Sequence, residues 1–198
     1  MSNSSRGIFS GGDGNGVPIN TLQYITIASV GNTTDFGDMT SGRYLGGNCS
    51  SSTRGLFGAG TTNFTSATAQ NSIDYVTIAS TGNGADFGDL TVGRYNPGSC
   101  SSSVRGVWGG GLNTSGVEIN VIDYITIAST GNATDFGDLT VTGGSTTATS
   151  SSTRGLFITE NTMDYITIAS TGNATDFGDP TVNTANNAAT SNAHGGLQ

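Results

Sequence analysis

The sequence predicts an all-β protein, a four-bladed β-propeller built from one repeated unit. Three observations carry that prediction. A stretch reading DYITIASTGNATDFGDLT at 123–140 is written four times with small changes, the spacing inside the unit is constant except in one connection, and the composition is that of short strands and tight turns. The first two point to a propeller because a period of roughly 40–50 residues is that of a propeller blade.

The composition needs care, because 198 residues with only 33% hydrophobic and 10% charged content and 32 glycines could equally describe a disordered chain. Disordered chains are poor in β-branched and aromatic residues. Here Ile, Val, Thr, Tyr and Phe recur in short alternating blocks bounded by Gly and Asn, which is strand and turn chemistry. The net charge is −8 and the six cations are all arginines: Arg6, Arg43, Arg54, Arg94, Arg105 and Arg154. An acidic, lysine-free surface excludes nucleic acid as the expected partner, since phosphate contacts need clustered cations, and it disfavours an anionic membrane surface. No apolar run is long enough for membrane insertion, and MSNSSRGIFSGG lacks the pattern of a signal peptide, so synthesis in a cytoplasm is expected.

Anchored on tyrosine, the units align at Tyr24, Tyr75, Tyr124 and Tyr165; anchored on Arg-Gly, at Arg6, Arg54, Arg105 and Arg154. Tyrosine precedes the first Asp of DFGD by 11 residues every time: Tyr24 to Asp35, Tyr75 to Asp86, Tyr124 to Asp135, Tyr165 to Asp176. The second Asp precedes the next Arg-Gly by 16, as in Asp38 to Arg54, Asp89 to Arg105 and Asp138 to Arg154. Only the stretch from Arg to tyrosine varies, at 18, 21, 19 and 11 residues. Strands must keep register, whereas a surface connection is free to vary.

Each unit then reads as four strands. RGVWGGG (105–111) is an apolar pair ended by glycines, and IDYITIAS (122–129) alternates with both faces partly apolar. STGN (129–132) is turn chemistry that joins this strand to ATDFGDL as a hairpin. The last strand lies within VGRYNPGSCSSSV (92–104), whose small residues suit a crowded place near an axis. Strands apolar on both faces belong between two neighbours. Within one domain over 1–198 the units are expected at about 4–39, 40–90, 91–139 and 140–180. The first unit lacks its GRY…SSS strand, and after Asp179 the tail keeps the 16-residue register, with Gly195 where the arginine would fall. Residues 181–198 are therefore expected to close the ring, Asn183 to Ala193 pairing beside Ser4 to Ser10. Cys49 and Cys100 hold equivalent positions, filled elsewhere by Thr149 and Thr190; a small polar-tolerant slot is the expected reading, with a disulfide as its alternative.

These motifs resemble a kelch-type repeat: GRY before a small-residue strand, RGVWGGG, then NVIDYITIASTGNATDFGDL as a hairpin. Phe36, Phe87, Phe136 and Phe177 stand roughly where kelch repeats carry a tryptophan. More narrowly, YITIASTGNATDFGDLT with a terminal SNAHGGL resembles repeat proteins encoded by tailed phages of marine bacteria, cyanophages especially. That resemblance implies a virion structural protein, present in multiple copies on a capsid surface, tail or fibre, with other virion proteins as partners. It implies no chemistry.

The residues themselves offer little for catalysis, and no enzyme, cofactor or metal is expected. DFGD repeats four times in a hairpin with no lysine and no HRD partner, which excludes a kinase. Strict alternation would place its two carboxylates on opposite faces, against a shared metal. The aspartates are expected to accept turn hydrogen bonds or to meet the repeat arginines, with bound calcium as the alternative. SGGDGNG (10–16) reads as a flexible loop rather than a phosphate cradle. The one histidine, His194, sits in the tail, and a glycan-cleaving pair would have Asp13 and Glu118 as its best candidates. Arg6, Arg54, Arg105 and Arg154, the four tyrosines and the four phenylalanines are expected to be structural. The variable loops at 11–20, 58–72, 109–121 and 159–162 should crowd one rim, where Asp13, Asn15, Phe64, Leu112, Asn113 and Glu118 are the candidate binding residues. Two occupants are open for that rim: another virion protein, or a host-surface glycan or receptor. Two or more chains sharing a larger ring is a further possibility for assembly.

Overall fold

The computed structural model describes residues 5–63 and 68–183. Among them there is no helix, and sixteen strands form four antiparallel sheets. Sheet 1 has the order β1 (Arg6–Ser10), β2 (Thr21–Thr26), β3 (Thr34–Asp38). Sheet 2 is β4 (Gly47–Ser50), β5 (Arg54–Gly58), β6 (Gln70–Thr77) and β7 (Ala85–Tyr95); sheet 3 is β8 (Gly98–Ser101), β9 (Arg105–Gly109), β11 (Ile119–Thr126) and β12 (Thr134–Gly143). Sheet 4 is β13 (Thr146–Ser150), β14 (Arg154–Thr159), β15 (Thr162–Thr167) and β16 (Thr175–Gly178). A short strand from the third unit, β10 (Leu112–Asn113), adds to the far edge of sheet 2 by pairing with Tyr95 and Arg94 of β7. Strands β7 and β12 run on through residues 90 and 139, so the link to the next unit is itself part of the ladder. The ring-closing pairing expected of 183–193 with Ser4 to Ser10 lies outside the described residues.

The same register recurs in every sheet. Tyrosine pairs with the residue two after the repeat arginine, as Tyr24 with Ile8, Tyr75 with Leu56, Tyr124 with Val107 and Tyr165 with Leu156. On the other side each hairpin has a bulge: Ile122 faces Gly137 but Asp123 faces Asp135, leaving Phe136 as the extra residue, with the same slip in sheets 1, 2 and 4. A bulge bends the strand and re-aims a side chain. The strict alternation expected across DFGD therefore fails, and each phenylalanine lies edge-on against its own tyrosine at 5.7–6.1 Å between ring centres. The repeat arginine lies over that same tyrosine ring, 4.4–4.8 Å from its centre.

Packing shows why both strand faces are apolar. The core is three clusters, each between consecutive sheets. Ile8, Leu22 and Phe36 of sheet 1 meet Phe57, Val76 and Ile78 of the second unit. Leu56, Ile73 and Phe87 meet Trp108, Ile125 and Ile127; Val107, Ile122 and Phe136 meet Phe157, Ile166 and Ile168. Adjacent residues such as Leu56 and Phe57 serve different clusters, as the two-residue period of a strand requires.

Between sheets, backbone meets backbone. The N–H groups of Gly82, Gly131 and Gly172 donate to the carbonyls of Phe36, Phe87 and Phe136 at 2.7 Å. Gly37, Gly88 and Gly137 stand opposite with φ near +140, and a Cβ there would lie 2.5 Å from the partner glycine's backbone. Only glycine satisfies both conditions. The small inner strands stack similarly: Ser101 Oγ donates to Ser50 O at 3.0 Å, and Ser150 Oγ to Ser101 O at 3.0 Å. In this stack Cys49 and Cys100 are free, buried thiols, not a disulfide, and the Cys49 thiol donates to Cys100 O at 3.2 Å. Burial pushes the Cys49 thiol up to about 12 and moves Cys100 upward as well.

Two outcomes follow from this packing. Gly88→Ala combines left-handed strain with overlap against Gly131 and should destabilise by about 2–4 kcal/mol, whereas Gly116→Ala, at φ 70 with nothing within 4 Å, should cost about 1 kcal/mol; urea unfolding distinguishes them. An aromatic disulfide reagent should label neither cysteine in the native protein and both in denaturant, since a buried thiol so far from ionising is unreactive.

Candidate functional site

The first three variable loops gather at the end of the stack opposite the repeat arginines Arg6, Arg54, Arg105 and Arg154, because each is pinned by the same bond. In the first three units the glycine one residue beyond the end of the Arg-Gly strand's neighbouring residue sends its N–H to the link that precedes the next unit: Gly12 to Arg43 O at 3.0 Å, Gly60 to Arg94 O at 2.9 Å, Gly111 to Gly143 O at 2.9 Å. Single bridges continue the contact, with Tyr44 paired to Thr61, as β10 pairs with the end of β7.

Below this rim two buried ion pairs join sheets. Arg43 Nη2 lies 3.0 Å from Asp74 Oδ2, and Arg94 Nη2 lies 2.6 Å from Asp123 Oδ2. The aspartates are those preceding the repeat tyrosine, so the expected pairing of arginines with DFGD is corrected. Both carboxylates, and Asp164 at the equivalent place in the fourth unit, also accept the hydroxyl of the threonine in the preceding link: Thr40 on Asp74, Thr91 on Asp123, Thr140 on Asp164. Each arginine further donates to a carbonyl inside the next sheet, Arg43 to Ser72 at 2.8 Å and Arg94 to Val121 at 2.6 Å. Burial lowers the pKa of both guanidiniums, opposed by their carboxylates. It also raises the Asp123 carboxyl above its ordinary value of 3.8, since loss of hydration outweighs what Arg94 and Thr91 return. Three of the other four arginines play a different part: Arg6, Arg54 and Arg105 donate to Ile78, Ile127 and Ile168 carbonyls of the next sheet at 2.9–3.0 Å.

The candidate binding residues prove largely engaged within their own loops. Asp13 Oδ1 accepts the Gly16 N–H at 2.6 Å, and Asn113 Oδ1 accepts from Ser115 and Val117 at 2.9 and 3.1 Å. Asn15 is exposed and left-handed at φ 59. Leu112 is half-buried in β10, and its side chain, with that of Glu118, comes within 3.2 Å of where a Gly144 Cβ would stand. Phe64 lies outside the described residues, as does His194. Asp13 and Glu118, proposed as a glycan-cleaving pair, belong to different units, each in its own loop.

What sequence reasoning missed is a groove at this end, made by the links and not the loops. A cavity of about 260 Å³ is lined by Leu45, Gly46, Asn96, Pro97, Ser145 and Thr146 from three successive links. A second of about 110 Å³ continues it toward Gly12 of the first loop, with Arg43 in its wall and the Arg43 Nε buried without a partner. The signal was the equivalent spacing of GRYLGG and GRYNPG, read only as a strand. Leu45 and Asn96 share a left-handed backbone, φ 59 and 56, at the equivalent point of each link. Among the described residues no group of three His, Cys, Asp or Glu is placed to hold a metal ion.

The fold and rim define a class: an all-β repeat protein of four antiparallel sheets, consistent with a β-propeller-like fold. No family model matches the chain, and no curated protein matches it.

The Asp123 shift has a pH signature. A carboxyl raised on folding contributes stability that is fully present below pH 3.8 and lost as pH rises through its folded value. Asp123→Asn should remove that fall. Arg94→Met should extend it to higher pH and cost about 3–5 kcal/mol near neutrality by stranding the buried carboxylate. Urea midpoints measured from about pH 4 to 7 check both signs.

Proposed function

We propose that the chain is a non-enzymatic structural protein of a phage virion, a rigid stack of kelch-like blades that presents its loop rim to another virion protein. The observation that supports this most is the division within each unit. Register and glycine contacts repeat in all three joints, while the variable connection of the first three units is pinned to the same end of the stack. The virion setting, with assembly in the host cytoplasm and many copies on a particle, draws its support from the resemblance of the repeat to cyanophage repeat proteins.

A specific observation favours a second reading, binding of a host-surface glycan or receptor. The larger cavity is lined by Asn96, Ser145 and Thr146 beside the apolar Leu45 and Pro97, a mixture suited to a sugar's hydroxyls and its apolar face.

Exposed Leu45 and Val117 provide the test. The double variant L45D/V117D should leave the unfolding free energy within about 0.5 kcal/mol of wild type and should abolish incorporation into particles. Normal incorporation of that folded variant contradicts the display role. Binding of a defined glycan on a host-glycan array, lost in Asn96→Ala, would place the glycan reading first.

A further inference from the structure

We propose that the two ends of the stack are the two halves of the joint already repeated three times inside the chain, and that sheet 4 of one copy docks on sheet 1 of a second copy, head to tail. This rests on the fold alone and not on the virion reading.

The face of sheet 4 that a following sheet would cover carries the joint's residues, uncovered. Phe177 is 51% exposed, whereas Phe36, Phe87 and Phe136 are each 2%. Leu156 and Met163 are half-buried where Val107 and Ile122 are fully buried. Gly178 has φ 135, matching the value near 140 of Gly37, Gly88 and Gly137, yet nothing stands within 4 Å of its would-be Cβ. The backbone is therefore already shaped for a close approach that no partner makes among the described residues. Arg154 is stacked on Tyr165 like its three counterparts, and its side chain is exposed.

Sheet 1 presents the complementary half. Ile27 is 52% exposed where Ile78, Ile127 and Ile168 are 0–2%, and Phe9 is 57% exposed where Phe57, Trp108 and Phe157 are 0–2%. The turn that would meet Phe177 and Gly178 is Val30-Gly31-Asn32-Thr33, in place of the Thr-Gly-Asn-Gly or Thr-Gly-Asn-Ala of the internal joints. Gly31 has open space around it and Val30 is fully exposed. Docked in the internal register, the Gly31 N–H meets the Phe177 carbonyl, Asn32 Oδ1 meets the Asp179 N–H, and Arg154 reaches the Ile27 carbonyl. The internal equivalents of the first two are the Gly172 bond to Phe136 O at 2.7 Å and the Asn173 bond to Asp138 N at 3.1 Å. The third is the Arg105 bond to Ile168 O at 2.9 Å.

Three positions set this joint apart. Gln23 stands where Asp74, Asp123 and Asp164 accept threonine hydroxyls, so Thr181 would meet an amide instead of a carboxylate. Thr147 and Ile158 stand where Gly98 and Gly109 make room for Phe157, so Phe9 cannot sink as deeply. The joint between copies is thus weaker than the internal ones. A heterologous contact of this kind generates a ring or a filament according to the angle it sets.

Because the two halves differ, they can be disabled separately, and both key residues are exposed in the single chain. Wild type should show concentration-dependent assembly in sedimentation velocity. Phe177→Asp and Ile27→Asp should each weaken association about tenfold or more, with unchanged circular dichroism and melting. Mixed one to one, the two variants should form a dimer that neither forms alone, joining the intact sheet 4 face of Ile27→Asp to the intact sheet 1 face of Phe177→Asp. A wild type that stays monomeric at all concentrations overturns the proposal, and so does a mixture that sediments as monomers. A monomer whose Gly31 amide is protected from exchange would show that the chain closes on itself instead.

Discussion

The contact on which this structure depends is the approach of one glycine backbone to another between sheets. A turn of one sheet lays its glycine N–H on the phenylalanine carbonyl of the sheet before it, at 2.7 Å in all three joints. One such bond contributes only about 1 kcal/mol net. Its importance is geometric, since the separation it sets allows Phe36, Phe87 and Phe136 to be covered and the inner serines to reach across. Each sheet buries its apolar faces only against a neighbour, so stability is approximately a sum of nearest-neighbour joints, as in other repeat proteins.

Charge enters this core in a graded way. The first two joints each hold a buried arginine on an aspartate, while the third keeps the Thr140 contact with Asp164 but has Gly143 in the arginine's place. A buried pair is weak evidence of net stabilisation. What these arginines do add is connection, since each guanidinium ties a link to a carboxylate and to a carbonyl of the following sheet. The third link, without one, carries a glycine pair at 143–144, over which Leu112 and Glu118 lie.

Sheet number, strand order within a unit and the position of the free loop were legible in the sequence, because register forbids insertions within paired strands and spacing records that. The hairpin at Ser129 to Asn132 was legible from its turn residues. The bulge at Phe136 was not, since DFGD reads as ordinary alternation until the pairing of Asp123 with Asp135 is seen. Which aspartate would meet which arginine was hidden for a related reason. Arg94 and Asp123 belong to different units, and no local spacing distinguishes Asp123 from Asp135 as a partner. The rim itself could be inferred, but its candidate residues were chosen for polarity, and polar loop residues such as Asp13 and Asn113 are consumed by their own turns. The groove escaped notice because Leu45, Asn96 and Ser145 lie in the repeated frame, which sequence comparison assigns to structure.

Native-state hydrogen exchange of the turn glycines tests the central contact most directly. At a concentration where the chain is monomeric, the amides of Gly82, Gly131 and Gly172 should exchange only through opening of a whole joint, while Gly31, whose turn has no sheet before it, should exchange at nearly the rate of an unstructured peptide. Equal, rapid exchange at all four glycines would contradict the account, because the sheets would then be held by side-chain packing without the backbone contact assigned to them.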